Sequence, residues 1–158
     1  MEPADSPGEE RDRLRRVIYH TTDYETVAAL DQLIFPDSYR ERPEDGNEFW
    51  LAHDTVDEDF VGFASLRALR EGSEDPRWEE TVFLSRVGVL RSARGHRLQR
   101  RFIRARLRWA RKHEYKRAIT YAAWGNVASI RALVQERFIP FMPAVLWAGD
   151  VMYLERDL

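Results

Sequence analysis

The chain has 158 residues, a formal net charge of −2, 44% hydrophobic residues and no cysteine. These values are ordinary for one globular domain with a substantial core, and they give no global sign of a nucleic-acid or membrane partner. The absence of cysteine excludes disulfides, thiolate metal sites and a cysteine acyl-enzyme. No apolar run is long enough to span a bilayer and no secretory signal pattern is present, so a cytoplasmic location is expected.

The first half of the chain predicts antiparallel strands around one helix. Residues 1–12 are polar, with two prolines, and are predicted to form a flexible tail ahead of a single domain over 13–158. Strands are predicted over 14–21, 48–53 and 60–66. A helix capped by Thr22 or Asp23 runs through Phe35 and ends at Pro36. Residues 36–46 are turn-rich with a short helix near 39–43, and loops are predicted over 54–59 and 71–77.

The most informative stretch is 81–113, which predicts a strand, a tight turn and a basic helix. Its strand contains apolar, mostly β-branched residues, namely Val82, Leu84, Val87 and Val89. Gly88 interrupts that strand, which indicates a bulge or a close approach by a ligand or another backbone. The free N–H groups and the positive dipole end at the start of the helix favour an anion there.

The turn carries a recognisable motif, Arg94–Gly95–His96–Arg97–Leu98–Gln99. It resembles the acetyl-CoA loop of the GNAT-type N-acetyltransferase superfamily, which reads Arg/Gln-x-x-Gly-x-Gly/Ala between a strand and a helix. Arg94 matches the first position. Arg97 stands where the family prefers its first glycine, and Gln99 stands at the Gly/Ala position. The anion expected at the helix start is then a phosphate of coenzyme A.

The last third of the chain carries a second motif of the same family. A strand is predicted over 117–124, a helix over 126–135, and further strands over 138–142 and within 151–155. The segment from Asn126 resembles the family's Asn-x-x-Ala/Ser…Gly-Phe pattern, with Arg137 in place of the glycine. Leu133 occupies the position where many members carry a tyrosine that protonates the departing thiolate. In element order the resemblance covers 17–158.

The resemblance implies a GNAT-like α/β fold, with antiparallel N-terminal strands, then a strand–helix–strand unit, and helices on both faces of a mixed sheet. It requires the two middle strands to splay apart so that the cofactor can enter. The implied reaction is direct transfer of an acetyl group from acetyl-CoA to the primary amine of a small molecule or peptide, in a ternary complex. The implied cofactor-binding residues are Val87, Val89, Arg94, Gly95, His96, Arg97, Leu98, Gln99, Asn126 and Ser129.

Catalytic residues are harder to assign from the sequence. A backbone N–H near Val87 or Val89 would polarise the carbonyl. Ser85 occupies the central-strand position where a carboxylate base would be expected, and Tyr121 or Tyr39 could replace the missing acid. Water-relayed proton transfer is the other route. No group of histidines or carboxylates has metal-ligand spacing, so no metal is expected.

Several structural interpretations compete with these functional ones. Asn126 is sufficient as a helix cap, and the arginines after Arg97 form a solvated surface more readily than a nucleic-acid stripe. The acidic residues Asp37, Glu41, Glu44 and Asp45 either hint at a cationic acceptor or are simply solvated. Core packing is the default for Trp147 and its neighbours, although they could line the acceptor pocket. The alternative functions are a non-catalytic GNAT-like binding protein and a nucleic-acid-binding protein; a homodimer is compatible with the sequence.

Overall fold

The computed structural model describes residues 6–69, 75–95 and 97–158. The α-helices in this part are α1 Pro7–Arg15, α2 Tyr24–Ile34, α3 Leu98–Lys112 and α4 Val127–Gln135. The strands are β1 Arg16–Thr21, β2 Asn47–Asp54, β3 Asp59–Ala68, β4 Thr81–Val89, β5 Arg117–Ala123, β6 Ile139–Pro140 and β7 Val151–Asp157. Among the described residues they form one sheet of seven strands in the order β1-β2-β3-β4-β5-β7-β6.

The predicted fold class is confirmed, and most elements lie where the sequence places them. In the described residues, each pair of neighbouring strands is antiparallel except β4 with β5. That pair is parallel because α3 connects the two strands. The short helix predicted at 39–43 is instead a 3-10 turn at Pro43–Asp45. Helix α1 was not predicted; it covers part of the segment assigned to a tail and the first two residues of the predicted first strand. The flexibility of residues 1–12 stays a prediction. Searched over the described residues, no helix has the length and apolarity needed to cross a membrane.

Two apolar layers cover the two faces of the sheet. On one face α2 packs through Val27 and Leu30 against Phe49, Leu51 and Phe63 of β2 and β3. The opposite face is the larger core, built by α3 and α4 against alternate strand residues. Burying apolar side chains on both faces supplies most of the folding free energy, at about 25 cal/mol per Å² of apolar surface removed from water.

A bulge lies in the centre of the sheet, between β3 and β4. Leu66 pairs with Leu84 and Ala64 pairs with Val87, so Ser65 alone faces two residues of β4. The bulge is therefore at residues 85–86 and not at Gly88, where the sequence suggested it. The glycine is needed for side-chain packing, because a Cβ at position 88 would lie 2.7 Å from a ring carbon of Phe63 and 3.0 Å from one of Phe35.

The two central strands separate beyond this point. Pairing between β4 and β5 covers Thr81–Arg117, Val82–Ala118 and Phe83–Ile119, and no further pair is found in the described residues. Each strand stays paired with its outer neighbour to its end. The side-chain hydroxyl of Thr120 donates to the Leu84 carbonyl oxygen at 2.7 Å, at the point of divergence. A wedge-shaped gap follows, as the resemblance requires.

The β2–β3 hairpin is fastened by one buried carboxylate, that of Asp54. It accepts hydrogen bonds from Arg15 at 3.0 Å, from the Val56 amide at 2.9 Å and from the Asp57 amide at 3.1 Å. Burial acts to raise the pKa of Asp54, but the two amides and Arg15 outweigh it and hold that pKa below its usual range.

We expect Asp54→Asn to lower the free energy of unfolding at pH 7. A carboxyl whose pKa is depressed by folding stabilises the native state above its unfolded pKa, about 3.9, and stops doing so as pH falls through the lower native value. Urea denaturation from pH 7 down to pH 3 should therefore show the gap between variant and wild type closing below about pH 4. Asp37→Asn, at an exposed position of 36–46, is the control and should leave stability unchanged. A gap that is independent of pH would contradict the assignment.

Candidate active site

The gap between β4 and β5 is lined by backbone amides. The Leu90 N–H donates to the Val61 carbonyl oxygen of β3 at 2.9 Å, so this amide faces away from the gap. Peptide groups alternate in direction along a strand, and Val87 and Val89 must therefore point their N–H and C=O groups into the gap. Arg94 Nε lies 3.3 Å from the Val89 carbonyl oxygen and donates to it, at the loop end of the gap.

Beyond the gap, residues 90–95 and Arg97 lead into α3, and all of these except Leu90 and Ala93 are exposed. Gly95 has φ +85°, and nothing lies within 4 Å of a Cβ built there, so glycine is required by the backbone conformation and not by space. Arg97 has φ 58°, also left-handed; it is the N-cap residue of α3, and its side chain makes no capping hydrogen bond to the helix. The first intrahelical bond is from Arg101 N to the Arg97 oxygen, at 3.1 Å. The three preceding amides, of residues 98–100, are those that a helix start leaves for an anion. His96 lies outside the described residues.

The two sequence motifs meet at the helix starts of α3 and α4. Gln99 Nε2 donates to Ser129 Oγ. The Asn126 side chain accepts from the Ser129 amide at 3.2 Å, which is ordinary N-capping of α4. The structure thus brings three of the predicted cofactor residues together, and it gives each of them a partner within the protein.

On the face of the sheet that α2 covers, a carboxylate lies next to the bulge between β3 and β4. Glu41, from the segment between α2 and β2, accepts through Oε2 from Ser65 Oγ and from Ser85 Oγ, each at 2.9 Å. The two hydroxyl oxygens lie 2.9 Å from each other. Ser85, predicted as a catalytic residue, is therefore joined to a carboxylate. Sequence reasoning counted Glu41 only as one of several acidic loop residues.

An ion pair and a buried arginine flank this cluster. Asp31 of α2 accepts from Arg86 Nε and Nη2 at 3.1 and 3.0 Å. Burial raises the pKa of Asp31, against the opposing influence of Arg86. From α3, Arg106 reaches the bulge and donates to the Ser65 carbonyl oxygen at 3.0 Å. Burial lowers the pKa of Arg106 to about 9, with the Glu41 charge acting in the opposite direction, so Arg106 stays cationic at neutral pH.

Tyr121, the second predicted catalytic residue, belongs to an aromatic cluster on the same face as Glu41. Its ring centroid lies 5.5 Å from that of Phe83 and 6.3 Å from that of Trp147. Trp147 is held because its amide donates to the Tyr153 hydroxyl at 3.1 Å. The tyrosine ring is 37% exposed and Trp147 is 39% exposed, so both contribute to a partly open aromatic surface. Tyr39 is exposed and lies near Asp45, with its hydroxyl 3.3 Å from that carboxylate.

The family follows from the sequence and agrees with this geometry. Residues 13–136 match the model of the acetyltransferase (GNAT) family, which is well over half of the chain. The chain belongs to the GNAT acetyltransferase family. Members of this family use acetyl-CoA as cosubstrate, and they transfer its acyl group. The gap amides, the left-handed turn and the free start of α3 fit that molecule, because they offer donors in a line leading to an anion site.

Solved structures agree with the fold. The ribosomal-protein-alanine N-acetyltransferase of Brucella melitensis superposes with a TM-score of 0.67 at 20% identity, over 90% of this chain and 99% of that one. An acetyltransferase of Bacillus subtilis in complex with CoA gives 0.63 at 13% identity, over 91% and 98%. The NatC complex bound to Gag peptide and CoA gives 0.71 at 15% identity, over 91% and 99%. A comparison with curated protein sequences finds no match.

This GNAT chain uses many arginines of α3 within its own fold. Arg100 Nε and Arg104 Nε donate to Glu136 Oε1 at 2.9 and 2.8 Å. Arg101 donates to the Arg16 carbonyl oxygen at 2.6 Å. These three arginines in the N-terminal half of α3 therefore connect it to the end of α4 and to β1.

Two arginines of this GNAT chain occupy backbone positions where the family prefers glycine. Arg97 has φ 58° and Arg137 has φ 68°. A left-handed backbone conformation costs a residue with a Cβ about 1–2 kcal/mol, and glycine avoids this cost. Part of the benefit of glycine is offset because its unfolded chain has more conformational entropy to lose on folding. We expect Arg97→Gly and Arg137→Gly each to raise the free energy of unfolding by about 0.5–1 kcal/mol in urea denaturation.

Only one of these two variants should change the affinity for acetyl-CoA. Arg97 borders the predicted phosphate site, and losing a charged hydrogen bond of about 1–3 kcal/mol predicts roughly tenfold weaker acetyl-CoA binding by calorimetry. Arg137→Gly, at the far end of α4, is the matched control and should bind as the wild type does. Tighter binding by Arg97→Gly would mean that the side chain obstructs the phosphate instead of contacting it.

Proposed function

We propose that this chain is an N-acetyltransferase, which moves the acetyl group of acetyl-CoA directly to a primary amine in a ternary complex. The observation that carries the proposal is the gap between β4 and β5, with the amides of Val87 and Val89 directed into it and a carboxylate above its closed end. A thioester chain needs such a gap to reach the centre of the sheet, and acyl transfer needs a hydrogen-bond donor at the carbonyl oxygen.

The direction of the bound cofactor follows from the position of the anion site. The diphosphate would lie against residues 94–99 at the start of α3, with Gly95 and Arg97 shaping the turn and Leu98 and Gln99 offering amides. The pantetheine arm would then run along β4 from Val89 toward Val87. Val87 is the deeper of the two amides, so it is the one that would donate to the thioester carbonyl. Asn126 and Ser129 would border the arm from the β5 side.

The acceptor would approach from the face of the sheet that α2 covers, where Glu41, Ser85 and Tyr121 lie. Bound acetyl-CoA supplies an acyl group activated by a thiol leaving group. The chain supplies the oxyanion donor, an acceptor for the amine's proton, and a surface that orients the amine. The ribosomal-protein-alanine N-acetyltransferase and the NatC complex bound to Gag peptide, both similar to this chain in fold, suggest peptides among the acceptors to be tested.

The test is calorimetry with acetyl-CoA, followed by turnover with a panel of primary amines. The panel holds spermidine, lysine and short peptides beginning with alanine or methionine. Because the chain has no cysteine, a thiol reagent reports released CoA with no protein background. Micromolar binding with turnover of at least one amine is expected. No binding at millimolar acetyl-CoA would overturn the proposal.

A second candidate function is binding of acetyl-CoA without turnover. The observation that favours it is Leu133, which is 6% exposed and stands where many family members have an acidic tyrosine. Tyr121 on the neighbouring strand is the replacement we propose for proton delivery to the thiolate. Binding of acetyl-CoA with no CoA release across the panel would select the non-catalytic function.

A further inference from the structure

The Glu41 carboxylate is held at one oxygen and open at the other. Both serine hydroxyls contact Oε2, and no hydrogen bond to Oε1 is found from the described residues. Glu41 is partly exposed. A carboxylate in this state is positioned by its first oxygen and retains free lone pairs on its second.

The loop that carries Glu41 is fixed in place on both sides. The Tyr24 hydroxyl donates to the Glu41 carbonyl oxygen at 2.9 Å, and the Asn47 side chain donates to the Arg42 carbonyl oxygen at 3.0 Å. Binding or catalytic groups need support of this kind to hold their geometry. The loop therefore presents one acidic side chain to the sheet, while Glu44 in the same segment is exposed.

The location is the one that the proposed reaction requires. Ser85 precedes Val87 by two residues on β4 and is itself one of the two bulge residues, with its hydroxyl directed at Glu41. The open carboxylate oxygen thus lies next to the strand segment whose amide would hold the thioester carbonyl. An amine entering from this face would meet Glu41 before it meets the carbonyl carbon.

Three arginines lie around the cluster that contains Glu41. Arg106 lies behind the bulge, and its charge is buried and interacts with the carboxylate. Arg86 faces the same cluster from β4 but is engaged by Asp31 of α2. From β3, Arg67 lies with its guanidinium carbon 5.3 Å from the Phe83 ring centroid. Arg86 and Arg67 are thus engaged by other groups, which leaves the second oxygen of Glu41 available to an ammonium ion.

We propose that Glu41 is the catalytic base of this enzyme, and that its acceptor is a primary amine bound as an ammonium ion. This inference rests on the proposed function. The ammonium transfers one proton to Glu41 Oε1, which leaves a neutral amine and a protonated carboxyl group. The amine nitrogen then bonds to the carbonyl carbon and the carbon–sulfur bond breaks. A second proton leaves the nitrogen and Tyr121 relays a proton to the sulfur, so that the products are the amide and free thiol, and Glu41 returns its proton to water.

Ser85 and Ser65 act as positioning residues in this arrangement. They donate to the oxygen that does not receive the proton, and they fix the direction of the other oxygen. This gives the predicted site residue Ser85 a role without requiring it to act as a base itself. Glu41, from the loop, supplies the carboxylate base that β4 lacks at the position of Ser85.

The test compares Glu41→Gln with the matched control Glu44→Gln, using the best amine from the panel. General-base catalysis is worth about 10²–10⁴-fold, so Glu41→Gln should lose that factor in kcat/KM at pH 7. Without a base the variant must use free amine, whose fraction rises tenfold per pH unit below the amine's own pKa. Its deficit should therefore shrink by about tenfold per unit between pH 7 and pH 9. Glu44→Gln should match the wild type throughout.

Two further measurements separate a base from a structural role. Acetyl-CoA affinity by calorimetry should stay within twofold in Glu41→Gln, while affinity of the CoA complex for the amine should fall, because the ammonium loses its counter-charge. Ser85→Ala should lose about tenfold in kcat and keep the wild-type pH profile, since Ser65 still holds the carboxylate. A deficit of Glu41→Gln that is constant with pH, or smaller than threefold, would overturn the inference while leaving the proposed function intact. Acetyl-CoA binding without turnover by the wild type would overturn both.

Discussion

Replacing Val87 by proline is expected to lower kcat about 10²–10³-fold while the protein remains folded. The Val87 amide points into the gap and has no strand partner on that side among the described residues, so proline removes no sheet hydrogen bond there. Proline is tolerated where a strand's N–H faces no neighbour. What is lost is the donor that the proposed reaction places on the developing oxyanion, a loss of about 2.7–4 kcal/mol in transition-state stabilisation.

Two further variants control for the side chain and for the strand. Val87→Ala keeps the amide and should retain most of the activity, with some loss of stability because Val87 packs against the larger core. Gly88→Pro should instead disrupt the sheet, because its amide faces β3 and proline removes that bond. The measurements are kcat with the best amine, and circular dichroism with thermal unfolding. Full activity in a folded Val87→Pro protein would exclude this amide as the oxyanion donor.

The sequence was sufficient for most of the architecture because the strands and the helices α2, α3 and α4 have strong local signals. Helix α1 was not predicted, since most of its residues are charged. Alternating and β-branched runs predict the strands, and Asp23 and Asn126 both cap their helices as expected. The order of strands then follows from the few connections that a chain of this length permits. Element ends differ by only a residue or two, as helix and strand ends usually do.

The bulge shows where local reasoning stops. A glycine in a strand has two common causes, a bulge or a close approach, and only the packed structure decides between them. At Gly88 the cause is the Phe63 and Phe35 rings, which leave no room for a Cβ. The bulge at Ser85 has no such residue to mark it, because both of its residues carry ordinary side chains.

The candidate site was half predictable for a related reason. The cofactor turn is a contiguous motif, so sequence spacing identifies it. Glu41 reaches Ser85 across 44 positions of the chain, a contact that no local pattern encodes. One signal was present in the sequence, namely two serines within otherwise apolar strands, since buried hydroxyls need partners. Arg106 was a second signal. It stands four residues after Phe102, on the apolar side of α3, where a charged residue needs a partner.

Glu136→Ala is expected to lower the free energy of unfolding by about 3–5 kcal/mol. The Glu136 side chain is 8% exposed and accepts from Arg100 and Arg104 through the same oxygen. Removing it leaves two partly buried arginines, one turn apart on α3, with no carboxylate between them, and like charges at this spacing repel. Helix α3 would then lose its link to the end of α4, which holds the second motif against the first.

The measurement is urea denaturation at pH 7, with the free energy taken from midpoint and slope. Glu136→Gln keeps an acceptor oxygen but not the charge, so we expect an intermediate loss. Gln135→Ala, at the exposed preceding position of α4, should have little effect and controls for changes in the helix itself. The Arg156 guanidinium donates through Nη1 to the main-chain carbonyl oxygen of Glu136 at 2.9 Å, and this bond persists in every variant, so the difference reports the carboxylate alone. A loss below 1 kcal/mol would show that α3 is held by its apolar face, and that its arginines are paired by proximity without contributing to stability.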